Sequence, residues 1–351
     1  MAEFKNEFSW SISRDSIFGE CRRKYYYNYY GFWGGWSKEK ADYVTRTLYV
    51  LKQLKSRWQW KGTSVHNEIA RVLRQLVSTG NLIPLETSLK RVTDLMREEF
   101  RSSRDGSYWE KDGSMRDITA LFEHEYKINT AGDIWKKNYE EVVECIRNFY
   151  KSDVLEKVKQ LHRNSVLSID SITPTLFSLG SDVATKPVLS REPGRTVEGR
   201  EGSQGTFYNE KIYVNLDLAY RIEVPQKPSL RIATPDPDDR VEIVDWKTGA
   251  GESEKLQFVV YTIYAKEVFG MDLDRISVIE YNLLSNQQTT HKFSPDDIRG
   301  AKDYINKSIT SMKSHLKDHP ENIAVMTDFP RTEDARKCES CNFKKICFDL
   351  P

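Results

Sequence analysis

Residues 241–249 read VEIVDWKTG, apolar and polar by turns, the period of a β-strand half-buried in a sheet. Residues two apart on a strand share a face, so Asp245 and Lys247 point the same way where the strand ends at Thr248-Gly249. Trp246 faces the other side, where packing is its expected role. A carboxylate beside an ammonium at a strand end suits metal-assisted chemistry. It equally suits an ion pair on an edge strand.

Working outward, Lys211–Arg221 (KIYVNLDLAYR) reads as a second strand with Asp217 in its apolar run. An acid there is costly unless it is paired or binds a cation. Asp217 and Asp245 together would hold one hard cation or a metal pair, magnesium or manganese by ligand type. Lys247 would then stabilise an attacking hydroxide or the charge developing on a phosphoryl group; the alternative is a buried Asp–Lys salt bridge. Val224–Arg240 is proline-rich and reads as a loop around a short strand at 230–233. Downstream, Glu252–Phe269 reads as a helix closed by Gly270. Gln257 and Tyr261 share one face of it, either as ordinary polar residues or as part of the same cleft. A hairpin (Ile276–Leu284 and Thr289–Phe293) follows, then a helix opened by Ser294-Pro295-Asp296-Asp297 and running to about Lys317.

The other half is helical in pattern. Residues 9–31 carry cap candidates and then an aromatic helix with Ile17, Cys21, Tyr25 and Tyr29 on one stripe, ending at Gly31. Helical periodicity continues from about Ala41 to Leu161. Within it, Thr63 or Ser64 is the expected N-cap of a helix with Val65, Ile69, Val72, Leu73 and Leu76 inward, which puts His66 in the first turn as an ordinary polar residue. Residues 164–171 read as a strand and 180–205 as an insertion or loop. The fold class expected is α/β: a central mixed sheet flanked by helices, preceded by a helical N-terminal half. The expected division is an N-terminal helix (1–36), a helical region (37–163), a sheet-bearing core (164–317) and a cysteine-rich C-terminal segment (318–351).

Composition narrows the function classes. With 38% hydrophobic and 30% charged residues and no long apolar run, a membrane-spanning chain is excluded. The N-terminal stretch lacks the apolar core of a signal peptide, so a cytoplasmic location is expected. A net charge of only +1 means that nucleic-acid binding has to come from a local patch. No G-x4-G-K-[ST] motif occurs, so no phosphate-loop motor is encoded. Cys21 and Cys145 stand alone, whereas Cys338-x2-Cys341-x5-Cys347 is compact. An odd cysteine count without a secretory signal argues for metal ligation over disulfides. Four thiolates, Cys21 with the C-terminal three, suit an iron–sulfur cluster or zinc; Cys145 reads as a core residue.

Taken together, Asp217, then Asp245-Trp246-Lys247, then Gln257-x3-Tyr261, with an upstream Gly62-x3-His66, resemble the PD-(D/E)XK nuclease superfamily, in its RecB-type branch. The cysteine arrangement resembles the CRISPR-associated iron–sulfur exonucleases of that superfamily. The resemblance implies that the PD-(D/E)XK core carries the chemistry, with His66, Asp217 and Asp245 as metal ligands and Lys247 serving the attacking water. Gln257 and Tyr261 would shape the substrate cleft, and a 4Fe–4S cluster on Cys21, Cys338, Cys341 and Cys347 would staple the chain ends. Spacing leaves zinc as the alternative to the cluster. Two features depart from the family pattern: Asn215-Leu216 stands where the proline would be, and Asp217 and Asp245 are unusually far apart in sequence. Asp170 is a further acid of the kind that an earlier strand sometimes adds. The implied function is a metal-dependent DNA nuclease, an exonuclease rather than an endonuclease, acting on single strands or free ends in DNA processing, repair, CRISPR adaptation or antiviral defence. The helical middle would be a lid or a docking surface for a protein partner. The alternative is a non-catalytic DNA-binding or assembly subunit on a nuclease fold.

Overall fold

A computed structural model describes residues 5–115, 118–171, 175–177, 211–222, 239–249, 251 and 254–348. The insertion expected at 180–205 and the short strand at 230–233 lie outside these residues. The chain opens with α1 (Ile12–Glu20), α2 (Arg22–Tyr26) and a π turn over Tyr27–Gly31. Next come α3 (Tyr43–Lys52), β1 (Leu54–Lys55), α4 (Arg57–Thr79) and α5 (Leu85–Arg104). β2 (Ala120–Leu121), α6 (Phe122–Glu125), α7 (Gly132–Lys151) and α8 (Asp153–Gln160) complete the helical half. The second half holds β3 (Val166–Ile169), β4 (Thr175–Phe177), β5 (Ile212–Val214), β6 (Leu218–Ile222), β7 (Arg240–Lys247), α9 (Lys255–Phe269), β8 (Ile276–Asn282), β9 (Gln287–His291) and α10 (Pro295–Lys313). It ends with β10 (Leu316–Asp318), β11 (Ile323–Ala324), α11 (Ala335–Glu339) and α12 (Lys344–Cys347).

The central sheet has five strands in the order β3-β6-β7-β8-β9. β7 runs parallel to β8 and antiparallel to β6, so the sheet is mixed, and α9 makes the crossover that two parallel neighbours need. The fold class read from the sequence describes this arrangement. β7 is central and buried on both faces. Val241 and Ile243 join a core with Phe258 and Ile263 of α9, Ile305 of α10 and the N-terminal Trp10. Val244 and Trp246 join a second core with Val65, Ile69 and Val72 of α4 and Val142, Ile146 and Phe149 of α7. Trp246 meets Phe149 edge-on, with ring centroids 5.7 Å apart. Burial of such side chains is worth roughly 1.5–3 kcal/mol each, enough to fix the register that sends Asp245 and Lys247 to the α9 face.

A third cluster ties Tyr27, Leu48 and Leu51 to Phe343 and Ile346, so the C-terminal segment lies on the N-terminal helices. Polar contacts reinforce it. Arg23 Nε donates to the Phe329 carbonyl (2.8 Å) and Asn342 Nδ2 to the Leu54 carbonyl (2.9 Å). Among the described residues no helix is long and apolar enough to cross a membrane.

Three expectations about elements need correction. The helix over 9–31 is broken at Cys21, whose extended backbone and Sγ, accepting from Lys24 N, cap a separate α2. The helix expected to start at Thr63 or Ser64 starts at Arg57. Ser56 and Gln59 form a reciprocal capping box there, while Thr63 and Ser64 donate their hydroxyls to the carbonyls of Gln59 and Trp60 inside the helix. His66 is therefore mid-helix. The strand over 211–221 is two strands: β5 pairs with β4, β6 pairs with β3 and β7, and Asp217 sits in the break between them.

Candidate active site

The break at Asp217 explains how an acid is tolerated beside a sheet core. The register pairs Leu218 with Val244, so one further step sets Asp217 opposite Asp245, where facing side chains are close neighbours. Asp217 Oδ2 accepts the backbone N–H of Trp246 (2.8 Å), replacing the ladder partner that the interrupted strand no longer supplies. Its Oδ1 meets His66 Nδ1 at 3.1 Å, which brings α4 to the same point. Gly62, one turn before His66, faces the end of β7: a Cβ there would make only ordinary van der Waals contact with Thr248 Oγ1, at 3.5 Å.

Asp245 is the buried centre, 3% exposed. Oδ1 accepts from the Tyr261 hydroxyl (3.1 Å) and from Gln257 Nε2 (3.2 Å), and Gln257 Nε2 also donates to the Tyr261 oxygen (2.6 Å). Gln257 and Tyr261 are one turn apart on α9, so one helix face holds the carboxylate from two directions. Lys247 Nζ lies 2.8 Å from Asp245 Oδ2 and donates to Gln257 Oε1 at 3.3 Å. The ammonium is close to Oδ2 but not aligned as a donor, so that buried oxygen lacks a directed hydrogen bond. The proximity is real Coulombic contact; what is missing is the directional bond that would satisfy the lone pairs.

The titrations follow from this crowding. Burial, and then the Asp217 carboxylate, push the Asp245 carboxyl up, with Lys247 and His66 pulling the other way. Burial disfavours the His66 imidazolium, but the carboxylates of Asp217, Asp245 and Asp170 outweigh it and raise the pKa to about 9. Burial beside two carboxylates raises the Tyr261 hydroxyl well above its ordinary value, so it remains a donor.

His66, Asp217, Asp245, Lys247, Gln257 and Tyr261 all line one cleft of about 660 Å³. Ser11, Ser13, Tyr213, Asn215 and Thr248 line it too, and none of these was read from sequence as a site residue. The Ser11 cap was visible as a helix start, but no local signal placed that start on the cleft. Asp170 is adjacent. Its backbone is left-handed (φ 35°), its N–H donates to the Asp217 carbonyl (2.9 Å), and its carboxylate is held by Asn215 (3.0 Å) and by Arg74 at 3.6 Å.

The donor set fits a hard divalent cation: two carboxylates and an imidazole on one cleft, with a buried carboxylate oxygen lacking a directed partner. Among the described residues no group of three His, Cys, Asp or Glu side chains is placed to hold a metal ion as the side chains stand.

A second place gathers the cysteines. Cys21, Cys338, Cys341 and Cys347 line one small cavity of about 40 Å³. All are free thiols, as is the buried Cys145. Lys24, Arg331, Lys337 and Lys344 line the same cavity, against the single acid Glu20. Burial pushes the Cys341 thiol up to about 11 and raises Cys347 as well. Four thiols ringed by cations suit a centre that is anionic once the thiols ionise.

Comparison with protein families matches residues 231–348 to the PD-(D/E)XK nuclease superfamily, without assigning a branch. The matched segment includes Asp245, Lys247, Gln257, Tyr261 and the three C-terminal cysteines; Asp217, His66 and Cys21 lie outside it. No curated protein matches the chain.

Proposed function

We propose that this chain is a metal-dependent DNA nuclease that hydrolyses backbone phosphodiesters, working as an exonuclease on single strands or free ends. The observation that carries the reading is the contact network on Asp245: Lys247, Gln257 and Tyr261 engage its carboxylate, with Asp217 and His66 on the same cleft. His66, Asp217 and Asp245 would hold magnesium or manganese, exchanging their present contacts for the cation. Bound there, the cation supplies Lewis acidity toward a phosphoryl oxygen and lowers the pKa of water.

The chain's own residues have separable tasks. Gln257 and Tyr261 fix Asp245 Oδ1 and thereby aim Oδ2. Lys247 Nζ, fixed by Gln257, stands where negative charge develops as water attacks phosphorus and the P–O bond to the leaving oxygen breaks. Ser11, Ile12 and Ser13 at the start of α1 line the cleft, so the positive end of a helix dipole is turned toward it, which favours a phosphate. Cys21, Cys338, Cys341 and Cys347 would hold a 4Fe–4S cluster, or zinc, joining residues 1–36 to 318–351 around a core at 164–317. The helical region 37–163 would serve as lid or partner-docking surface. A non-catalytic assembly role, the second reading, leaves the shared Lys247–Asp245–Gln257 contacts without a task.

The test is hydrolysis of 5′- and 3′-labelled linear strands and of circular single-stranded DNA in magnesium or manganese. Metal-dependent loss of linear strands with circles spared is expected. Circles cut as fast as linear strands would overturn the exonuclease assignment, and no hydrolysis of any form would overturn the nuclease reading.

A further inference from the structure

Tryptophan 58 is 53% exposed, a large apolar surface left in water. A single exposed apolar residue needs no explanation by itself. This one stacks on the Arg57 guanidinium and lies on the helix that carries His66 into the cleft. Trp58, Gly62 and His66 are spaced four apart on α4 and so stack along one face of the helix. His66 lines the cleft, and Gly62 sits against cleft-lining Thr248 with no side chain of its own in the way. The helix rises about 1.5 Å per residue, which places Trp58 about 12 Å along the axis from His66, a span of a very few nucleotides.

The indole is backed by charge. The Arg57 guanidinium lies 3.3 Å from the centre of its ring system, and Lys61 Nζ is 5.5 Å away. Both cations are anchored. Arg57 donates its backbone N–H to the Glu123 carboxylate (3.1 Å) and its side chain to Asn138 Oδ1 (3.3 Å), and Lys61 pairs with Glu141 at 2.5 Å. An aromatic ring stacked on a fixed guanidinium beside a bare helix segment is a platform with its ordering cost already met. An unpaired nucleotide offers a flat π face on its base and a negative phosphate beside it, whereas a duplex keeps its bases stacked inside.

We infer that Trp58 is the stacking platform for one unpaired base of single-stranded DNA, positioning the strand as it crosses Gly62 toward His66. The inference rests on the nuclease reading for its substrate, and its test does not depend on hydrolysis. Binding of a short single-stranded DNA oligonucleotide is measured in EDTA, so that no strand is cut, for wild type, Trp58→Ala and Trp58→Phe. Trp58→Ala should weaken binding about tenfold, and Trp58→Phe no more than about threefold. Duplex binding should not change. An abasic position scanned along the oligonucleotide should weaken wild-type binding at one location and leave Trp58→Ala insensitive there. Unchanged binding by Trp58→Ala, an equal loss on duplex, or an abasic penalty as large in Trp58→Ala as in wild type would each overturn the platform. If the platform behaves as expected while Lys247→Ala still hydrolyses DNA, the catalytic assignment fails and the platform stands.

Discussion

Replacing Tyr261 with Phe tests whether the hydroxyl acts through Asp245. The change removes the O–H donated to Asp245 Oδ1 at 3.1 Å, and the oxygen that accepts from Gln257 at 2.6 Å. The ring stays in the core, where Tyr261 is 5% exposed, so the packing loss is small. A hydrogen bond to a charged group is worth roughly 1.5–3 kcal/mol. Gln257 Nε2 remains 3.2 Å from the same oxygen and keeps part of that stabilisation, so the lower end applies. Partners that orient metal ligands cost about 10–100-fold in metal affinity or activity when removed. We therefore expect Tyr261→Phe to raise the manganese concentration for half-maximal hydrolysis about tenfold, with saturating metal restoring most of the rate. The assay is a metal titration of the cleavage of a labelled strand, alongside thermal unfolding. An unchanged metal requirement with a lowered midpoint would show that the hydroxyl supports the fold alone, and would refute the argument.

Further outcomes follow from other parts of the molecule. Burial, and then the neighbouring Arg14, drop the Lys52 pKa to about 7 from its usual 10.5, with its ammonium 3.4 Å from the Phe32 ring centre. Above pH 7 the folded form releases a proton that the unfolded chain keeps, so stability rises from pH 7 toward pH 10. Lys52→Met should remove that rise and stabilise the protein at pH 6; parallel wild-type and variant curves in denaturant titrations would count against it. Cys21→Ser should lower bound iron or zinc in elemental analysis, whereas Cys145→Ser should leave it unchanged. Ser56→Ala, which deletes the capping box of α4, should cost about 1 kcal/mol in chemical unfolding.

How much of this was legible in the sequence can be argued from particular residues. The alternation in VEIVDWKTG fixes which side chains share a face, and strand geometry preserves that parity whatever surrounds it. The spacing of Gln257 and Tyr261 is equally local, one turn of helix. Asp217 was visible as an acid in an apolar run, but not the break around it. That break depends on β5 pairing with β4 and β6 with β7, a choice made by distant partners. The start of α4 was missed because Thr63 and Ser64 are good caps by type, whereas Ser56 forms a reciprocal box with Gln59. The contribution of Ser11 and Ser13 to the cleft was not legible at all, because it comes from α1 docking on β5 through the Trp10–Ile212 bridge.

The central claim is that Lys247 and Asp245 form a hydrolytic centre. It is tested most directly by measuring cleavage of end-labelled single- and double-stranded DNA by wild type, Lys247→Ala and Asp245→Ala in magnesium and in manganese. The account predicts metal-dependent hydrolysis by wild type and a loss of at least about a hundredfold in both variants, with each still folded. Cleavage of every DNA form at the wild-type rate by either folded variant would contradict it.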